Sequence, residues 1–463
     1  MSDLTGYINS NLDRFIEELK AFLRIPSISA DSAYNEQTRQ CARHVADEMA
    51  RIGLENVQVL ETPGHPVVYA DWLHAAGAPT VLIYGHYDVQ PPDPLDLWTS
   101  PPFEPEVRNG DIYARGSIDD KGQVHLHMKA VEALMAAEGA LPVNVKFIIE
   151  GEEEIGSPNL PPFLEAYREL LACDAVMISD TTMYDVDMPS ITYGLRGLAY
   201  FELRVTGPDR DLHSGMFGGA VANPLNALCT MVAAMKDENG RITLPDFYNS
   251  VADVSPEERA ELARLPYDAG DFARLVGATE TTGEAGYTDI ERLWARPTLD
   301  LCGIWGGYQG EGAKTVLPSK AGAKLSMRLV AHQQVEQVAE QLRRFVAEHT
   351  PAGVTVEVVE LHGGPPALTP TDSAPVRASL RALKEAFGVD PYLIRSGGSI
   401  PIVADFDRVL GVPVVLMGFG LPDQNAHSPD EKMSLRNYHR GIASAALFLR
   451  EYAVETRTGT SAV

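Results

Sequence analysis

Two histidines and a handful of carboxylates in this 463-residue chain have the types and settings for metal-ion chemistry. His86 stands in Gly85-His86-Tyr87-Asp88-Val89-Gln90-Pro91, directly after the apolar run TVLIY. A histidine just beyond a buried strand can ligate a cation, and Asp88 can accept a hydrogen bond from its second ring nitrogen and fix the tautomer. Asp119 and Asp120 stand in RGSIDDKG, immediately before a helical pattern. A carboxylate there can bridge two cations, although adjacent aspartates at a helix start also serve as an N-cap and a partner for the helix dipole. Glu152, Glu153 and Glu154 follow the run VNVKFII. On a solvated loop they are ordinary surface, whereas after a core strand they crowd like charges that cations or protons must relieve. Asp180 again follows an apolar strand, and far downstream His427, in NAHSPDE, follows VPVVLMGFG. Two divalent cations held by Asp119, Glu154 and Asp180, with one bridging hydroxide, would be electrically neutral, which a partly buried site tolerates. Mixed imidazole and carboxylate donors suit Zn2+, with Mn2+ or Co2+ as substitutes.

The elements that must position these residues read as an α/β layer. Apolar runs at Thr80 to Tyr84, Val143 to Ile149 and Ala175 to Ile178 alternate with helical patterns at Gln37 to Ile52 and Lys121 to Glu138. Buried strands separated by helices predict a mostly parallel sheet, and ligands gather at the C-terminal ends of such strands. From Gly197 the pattern changes. Ala199 to Val205 and Ala323 to Val330 alternate apolar with polar residues, as half-exposed antiparallel strands do. With helices at Asn223 to Lys236 and Gln334 to His349 and a strand at Val354 to Leu361, the order suggests a β-α-β-β-α-β, ferredoxin-like α+β sandwich. A long insertion, roughly Arg241 to Pro297, interrupts it; its Phe247, Tyr248, Tyr267 and Phe272 read as packing residues. The α/β style returns with the helix Ser373 to Phe387 and the strand Val412 to Met417. Residues 1–196 and 364–463 are therefore expected to form one domain, split by a second domain over 197–363.

Composition limits the function further. With 38 Lys+Arg against 64 Asp+Glu the chain carries a net charge of −26, which repels phosphate backbones and argues against nucleic acid as a partner. No run of 18 apolar residues predicts a membrane span. Asp3 and Asp13 fall where a signal peptide needs an apolar core, and Leu4, Ile8, Leu12, Ile16, Leu19 and Leu23 read as one face of an amphipathic helix. Four isolated cysteines, Cys41, Cys173, Cys229 and Cys302, are expected to be buried free thiols in a reducing cytoplasm. No GxSxG elbow supports serine-hydrolase chemistry.

The ordered set GHYDVQP, RGSIDDKG, EGEEEIGS, ISD, ITYGLRG, DLHSG, KTVLPS, SMRLV, SGGSIP and AHS resembles the di-zinc metallopeptidase family of dipeptidases, carnosinases and aminoacylases, in its carnosinase-like and cytosolic dipeptidase branch. The resemblance implies a cytoplasmic enzyme that hydrolyses small peptides, with N-acyl-amino-acid deacylation at the same site as the alternative. It implies that His86 and Asp180 hold one metal, Glu154 and His427 the other, and that Asp119 bridges them. Glu153 would be the general base and Asp88 the residue that orients His86. A cis peptide bond between Asp119 and Asp120 is implied as well. The inserted domain would serve as a lid and as the contact of a homodimer, with His213 donated across it to the partner's oxyanion. Arg328 would clamp the substrate carboxylate, and Thr315 and Ser399 would be minor substrate contacts. One departure stands out: relatives often carry an acid where this chain has Ser396, and its loss would relax the demand for a free amino group on the substrate.

Overall fold

The computed structural model describes residues 4–398 and 400–459. Two compact units account for the chain. The first takes residues 1–193, 369–394 and 402–463, and the second takes 194–368 and 395–401.

The first unit is built on a sheet whose strands run, side by side, Glu55–Leu60, Val67–Trp72, Asn144–Glu150, Thr80–His86, Ala175–Ile178, Val414–Leu416 and Ser190–Leu195. The four central strands, Asn144–Glu150 through Val414–Leu416, pair in parallel, while the outer pairings are antiparallel. Being covered on both faces, the central strands are mostly apolar, with Lys146 the exception inside Asn144–Glu150, which is why they were readable as short runs. The helix Lys121–Glu138 is buried along nearly its whole length and packs against the strand Thr80–His86 and the helices Leu4–Leu23 and Leu435–Gly459. It ends on Gly139, whose φ of 75° gives the left-handed cap that glycine adopts without cost. Close approach also explains Gly85: a Cβ there would stand 2.5 Å from Val124 Cγ2 and 2.6 Å from Asp120 Oδ2. Leu4, Ile8, Phe15, Leu19, Phe22 and Leu23 are the buried face of the first helix, with Leu12 and Ile16 packed at its margin.

The second unit has the six-element order read from sequence. Its antiparallel sheet runs Thr298–Gly306, Lys320–Leu329, Gly197–Thr206, Thr355–Gly364, and the helices Pro224–Ala234 and Val335–His349 share one core with it. Along Gly197–Val205 every second side chain is buried. The insertion contributes three short helices, Pro256–Leu262, Ala269–Leu275 and Asp289–Trp294. Phe247 belongs to the core of this unit with half-buried Tyr248 packed against it, and Tyr267 lies against Phe272 with ring centroids 5.9 Å apart.

The cysteine expectation needs correction. All four are free, but only Cys41 is buried; Cys173 is half-buried, and Cys229 and Cys302 are exposed. Cys302 sits on the edge strand Thr298–Gly306, where the sheet offers a side chain one neighbouring strand instead of two, so the usual preference of cysteine for the interior does not apply. Among the described residues no helix is long and apolar enough to cross a membrane.

Candidate metal centre

The centre belongs to the first unit and is assembled at one end of its four parallel strands. His86 is the last residue of Thr80–His86, Glu153 and Glu154 lie in the short 3-10 turn that follows Asn144–Glu150, Asp180 comes two residues after Ala175–Ile178, and His427 lies on the loop beyond Val414–Leu416. Asp119 enters from the turn before the helix Lys121–Glu138. The peptide bond between Asp119 and Asp120 is cis, as the resemblance implies.

Two groups of donor atoms result, each within 4.8 Å: His86, Asp119 and Asp180, and Asp119, Glu154 and His427. Asp119 is common to both. Its Oδ1 lies 3.1 Å from His86 Nε2 and its Oδ2 2.8 Å from His427 Nε2, so the two oxygens face opposite ways. Asp180 Oδ2 is 3.9 Å from His86 Nε2, and Glu154 Oε2 is 3.2 Å from His427 Nε2. Four of these side chains are largely enclosed, whereas His427 is 56 % exposed and has a φ of 61°, a left-handed conformation that non-glycine residues adopt only when their surroundings hold them there.

Other residues hold the donors in place. Asp88 is fully buried. Its Oδ1 lies 3.4 Å from His86 Nδ1, while its two oxygens accept the backbone N–H groups of Glu153 (3.2 Å) and Glu154 (3.1 Å). The carboxylate thus holds the glutamate turn, while His86 Nδ1 lies closest to the backbone carbonyl of Asp88, at 3.1 Å. Gln90 Nε2 donates to Glu154 Oε2 at 2.9 Å. Ser179 accepts from His127 Nε2 at 2.7 Å and donates to Met417 O at 2.6 Å, which fixes the strand end that carries Asp180. Glu431, buried four residues beyond His427, bonds to the Asp119 turn. Sequence reasoning missed these supports. In sequence, an acid in SPDEK or a glutamine after a strand looks like ordinary surface.

Electrostatics favour cations strongly. Burial, and then the charge of Asp119, push the Asp180 carboxyl up to about 7. Burial likewise raises Glu153 well above the usual carboxylate range. Burial opposes ionisation of Asp119 too, but hydrogen bonds from His427 and His86 outweigh it and hold Asp119 low. Hydrogen bonds to Asp119 and Glu154 raise the His427 imidazole to about 10. Four acids gathered round two imidazoles in a low-dielectric pocket relieve this strain by sharing divalent cations, and the donor set, imidazole nitrogen with carboxylate oxygen and no thiolate, fits that group.

His213, Thr315 and Arg328 lie in the second unit. His213 is exposed, pairs with Val316 across a two-residue bridge, and accepts from Gly215 N at 3.1 Å; the neighbouring Ser214 N donates to Thr315 O at 3.0 Å. Arg328 is half-buried on Lys320–Leu329 and lines a cavity of about 550 Å3 together with Arg196 and residues of the insertion. Ser399 lies outside the described residues. Ser396, at the departure from the family pattern, accepts from Gly398 N through its Oγ at 3.1 Å.

Residues 82–451 match the family described as Peptidase family M20/M25/M40. The chain belongs to that family. Among M20/M25/M40 relatives, the Cys-Gly metallodipeptidase dug1 of Schizosaccharomyces pombe is 33 % identical over 472 residues, covering 98 % of each chain. The Beta-Ala-His dipeptidase of Homo sapiens is 32 % identical, covering 96 % of this chain and 92 % of its own. Among solved structures, an M20 family metallo-carboxypeptidase from Sulfolobus solfataricus superposes with a TM-score of 0.82 at 32 % identity, over 95 % of this chain and 99 % of that one. The family membership fixes the fold class and the enzyme class, a metallo-hydrolase acting on peptide bonds.

Proposed function

We propose that the protein is a metal-dependent dipeptidase, and the observation that carries the reading is the pair of donor groups sharing Asp119. His86 and Asp180 would hold one cation, Glu154 and His427 the other, and Asp119 both, with Zn2+ the best fit to the donors and Mn2+ or Co2+ as substitutes. When bound, such a pair supplies Lewis-acid polarisation of the scissile carbonyl and acidifies the attacking water.

The chain's own residues do the rest. Glu153 accepts the proton of the attacking water on its carboxylate and returns it to the leaving amine. Asp88 keeps Glu153 in reach by gripping the backbone of its turn. Arg328 presents a guanidinium suited to bidentate capture of the substrate's terminal carboxylate, with Thr315 and Ser399 as minor contacts. His213, donated from the inserted domain of a partner subunit, stabilises the developing oxyanion.

The domain division we adopt is a catalytic domain over 1–196 and 364–463, with 197–363 as the lid and dimer contact. Support for a homodimer comes from the edge strand Thr298–Gly306, which exposes Leu301, Ile304 and Trp305 and leaves backbone groups open to pairing with a second copy. Four free cysteines are consistent with action in the cytoplasm. Relatives that span the whole chain are named as dipeptidases, so deacylation of N-acyl amino acids is not favoured.

The test is turnover of a dipeptide library by protein stripped with a chelator and then reconstituted with Zn2+, Mn2+ or Co2+. Activity is expected to vanish on stripping and to return with metal, and Ala-Leu is expected to be cleaved in preference to N-acetyl-Leu. Full activity after stripping overturns the metal site. Equal cleavage of N-acetyl-Leu shows that Ser396 has relaxed the demand for a free amine.

A further inference from the structure

We propose that Glu431 is a positioning residue for the cation site, setting the turn that presents Asp119 and tying it to the loop that presents His427. The proposal rests on the ligand assignment above.

Glu431 is fully buried and belongs to neither donor group. Its Oε1 accepts the backbone N–H groups of Ile118 (3.0 Å) and Asp119 (3.2 Å), and its Oε2 accepts those of Gly116 (2.9 Å) and the Arg115 guanidinium (2.8 Å). A carboxylate has about four acceptor positions, so this one is saturated by N–H donors. Three of the four come from one short stretch, 116–119. The path of the backbone into Asp119 is therefore wrapped around the Glu431 carboxylate, and the direction of the Asp119 side chain follows from it.

The same residue secures the other ligand. His427 is the most exposed of the proposed donors and lies in a loop with three left-handed non-glycine residues, Asn425, His427 and Asp430. Local bonds close the loop on itself, Ser428 N donating to Asn425 O at 2.9 Å and Asn425 Nδ2 to Asp430 O at 3.3 Å, and longer-range bonds then place it. Four residues on, Glu431 O accepts from Ala114 N at 3.1 Å, while Ser428 O accepts from Arg115 Nη1 at 3.4 Å. Arg115 also donates to Pro91 O at 3.2 Å, on the loop that follows His86. A single buried ion pair, 2.8 Å long, thus touches the segments that carry His86, Asp119 and His427. A buried pair of this kind adds little net stability against an apolar alternative, because desolvation offsets the attraction. What it supplies here is geometry.

Glu431→Gln keeps the shape but replaces one acceptor oxygen with an NH2 that opposes N–H donors, so the turn must move. Chelator competition with Zn2+ and with Mn2+ is expected to give dissociation constants raised about 10- to 100-fold, the usual effect of losing a residue that orients a ligand. KM for Ala-Leu under saturating metal should change far less. Glu431→Asp, which restores the charge on a shorter stem, should recover part of the affinity. Glu132→Gln, which weakens the same unit away from this turn, should lower the melting temperature of the metal-free protein without moving the metal constants. Metal constants for Glu431→Gln within about twofold of the parent overturn the proposal, as does an equal shift in Glu132→Gln. If Glu431→Gln does not fold, Glu431→Asp decides, and parental metal affinity there overturns it. A parent protein that fails to take two cations per chain sinks the ligand assignment itself, a result distinct from either of these.

Discussion

Glu153 and Asp88 show how differently two neighbouring acids can be employed. Asp88 spends its oxygens on the N–H groups of Glu153 and Glu154 and on His86, so it is fixed and fully engaged. Glu153 is outside both donor groups and sits beside them, which leaves its carboxylate for proton transfer. Glu153→Gln is therefore expected to retain two cations, measured by elemental analysis, and to lose about 10²- to 10⁴-fold in kcat, the range ascribed to general acid–base catalysis. Near-parental turnover would remove Glu153 as the base. The residues that sequence revealed are those that end apolar runs: His86, Glu154 and Asp180 stand where a buried strand meets a loop. Those it concealed, Gln90, His127 and Glu431, act through hydrogen bonds between segments far apart in the chain, and no local pattern records such partners.

At the scale of elements, the helices Leu4–Leu23, Asn35–Arg51 and Lys121–Glu138 are joined by a charge network. Glu132 accepts from Arg14 at 2.5 Å, Arg51 at 3.1 Å and Lys129 at 3.2 Å, and Lys129 is fully buried. Burial alone would raise the Glu132 carboxyl, but Arg14, Lys129 and Arg51 outweigh it and bring it down to about 2. Its folded value thus lies below its unfolded one, so its contribution to stability is complete above about pH 4.5 and is lost as the pH falls toward 2. Denaturant titrations of the metal-free protein should show the stability gap between parent and Glu132→Gln narrowing by on the order of 2 to 3 kcal/mol over that interval. A gap independent of pH would show that the network does not hold Glu132 ionised. Legibility at this scale followed burial. The central parallel strands and the helix Lys121–Glu138 were plain. The strand Val67–Trp72 was not, because buried Asp71, bonded to Tyr69 (2.7 Å) and Asn56 (2.8 Å), interrupts its apolar run. The edge strand Thr298–Gly306 was hidden for the opposite reason: most of its side chains are exposed, so no alternation marks it.

For the whole molecule, the proposed homodimer makes each catalytic centre dependent on a second chain. Sedimentation should report a dimer, and charge placed on the exposed edge, as in Ile304→Glu with Trp305→Glu, should yield monomers that still bind metal but turn over poorly. His213→Ala and Glu153→Gln should each be nearly inactive alone. Mixed in equal amounts and allowed to exchange, they should regain about a quarter of parental activity, since half the dimers are mixed and each of those holds one complete site. No recovery would refute donation of His213 between subunits. The chain leaves the first unit after Tyr193 and re-enters it at Thr369, and that interruption also sets a clock. His427 follows Asp180 by 247 positions, and at 5–20 residues per second a ribosome needs roughly 12 to 50 s to add them. Throughout that interval the nascent chain carries the acids of the centre without the histidine that completes the second donor group. A peptidase arranged this way is not armed until its chain has been made through His427.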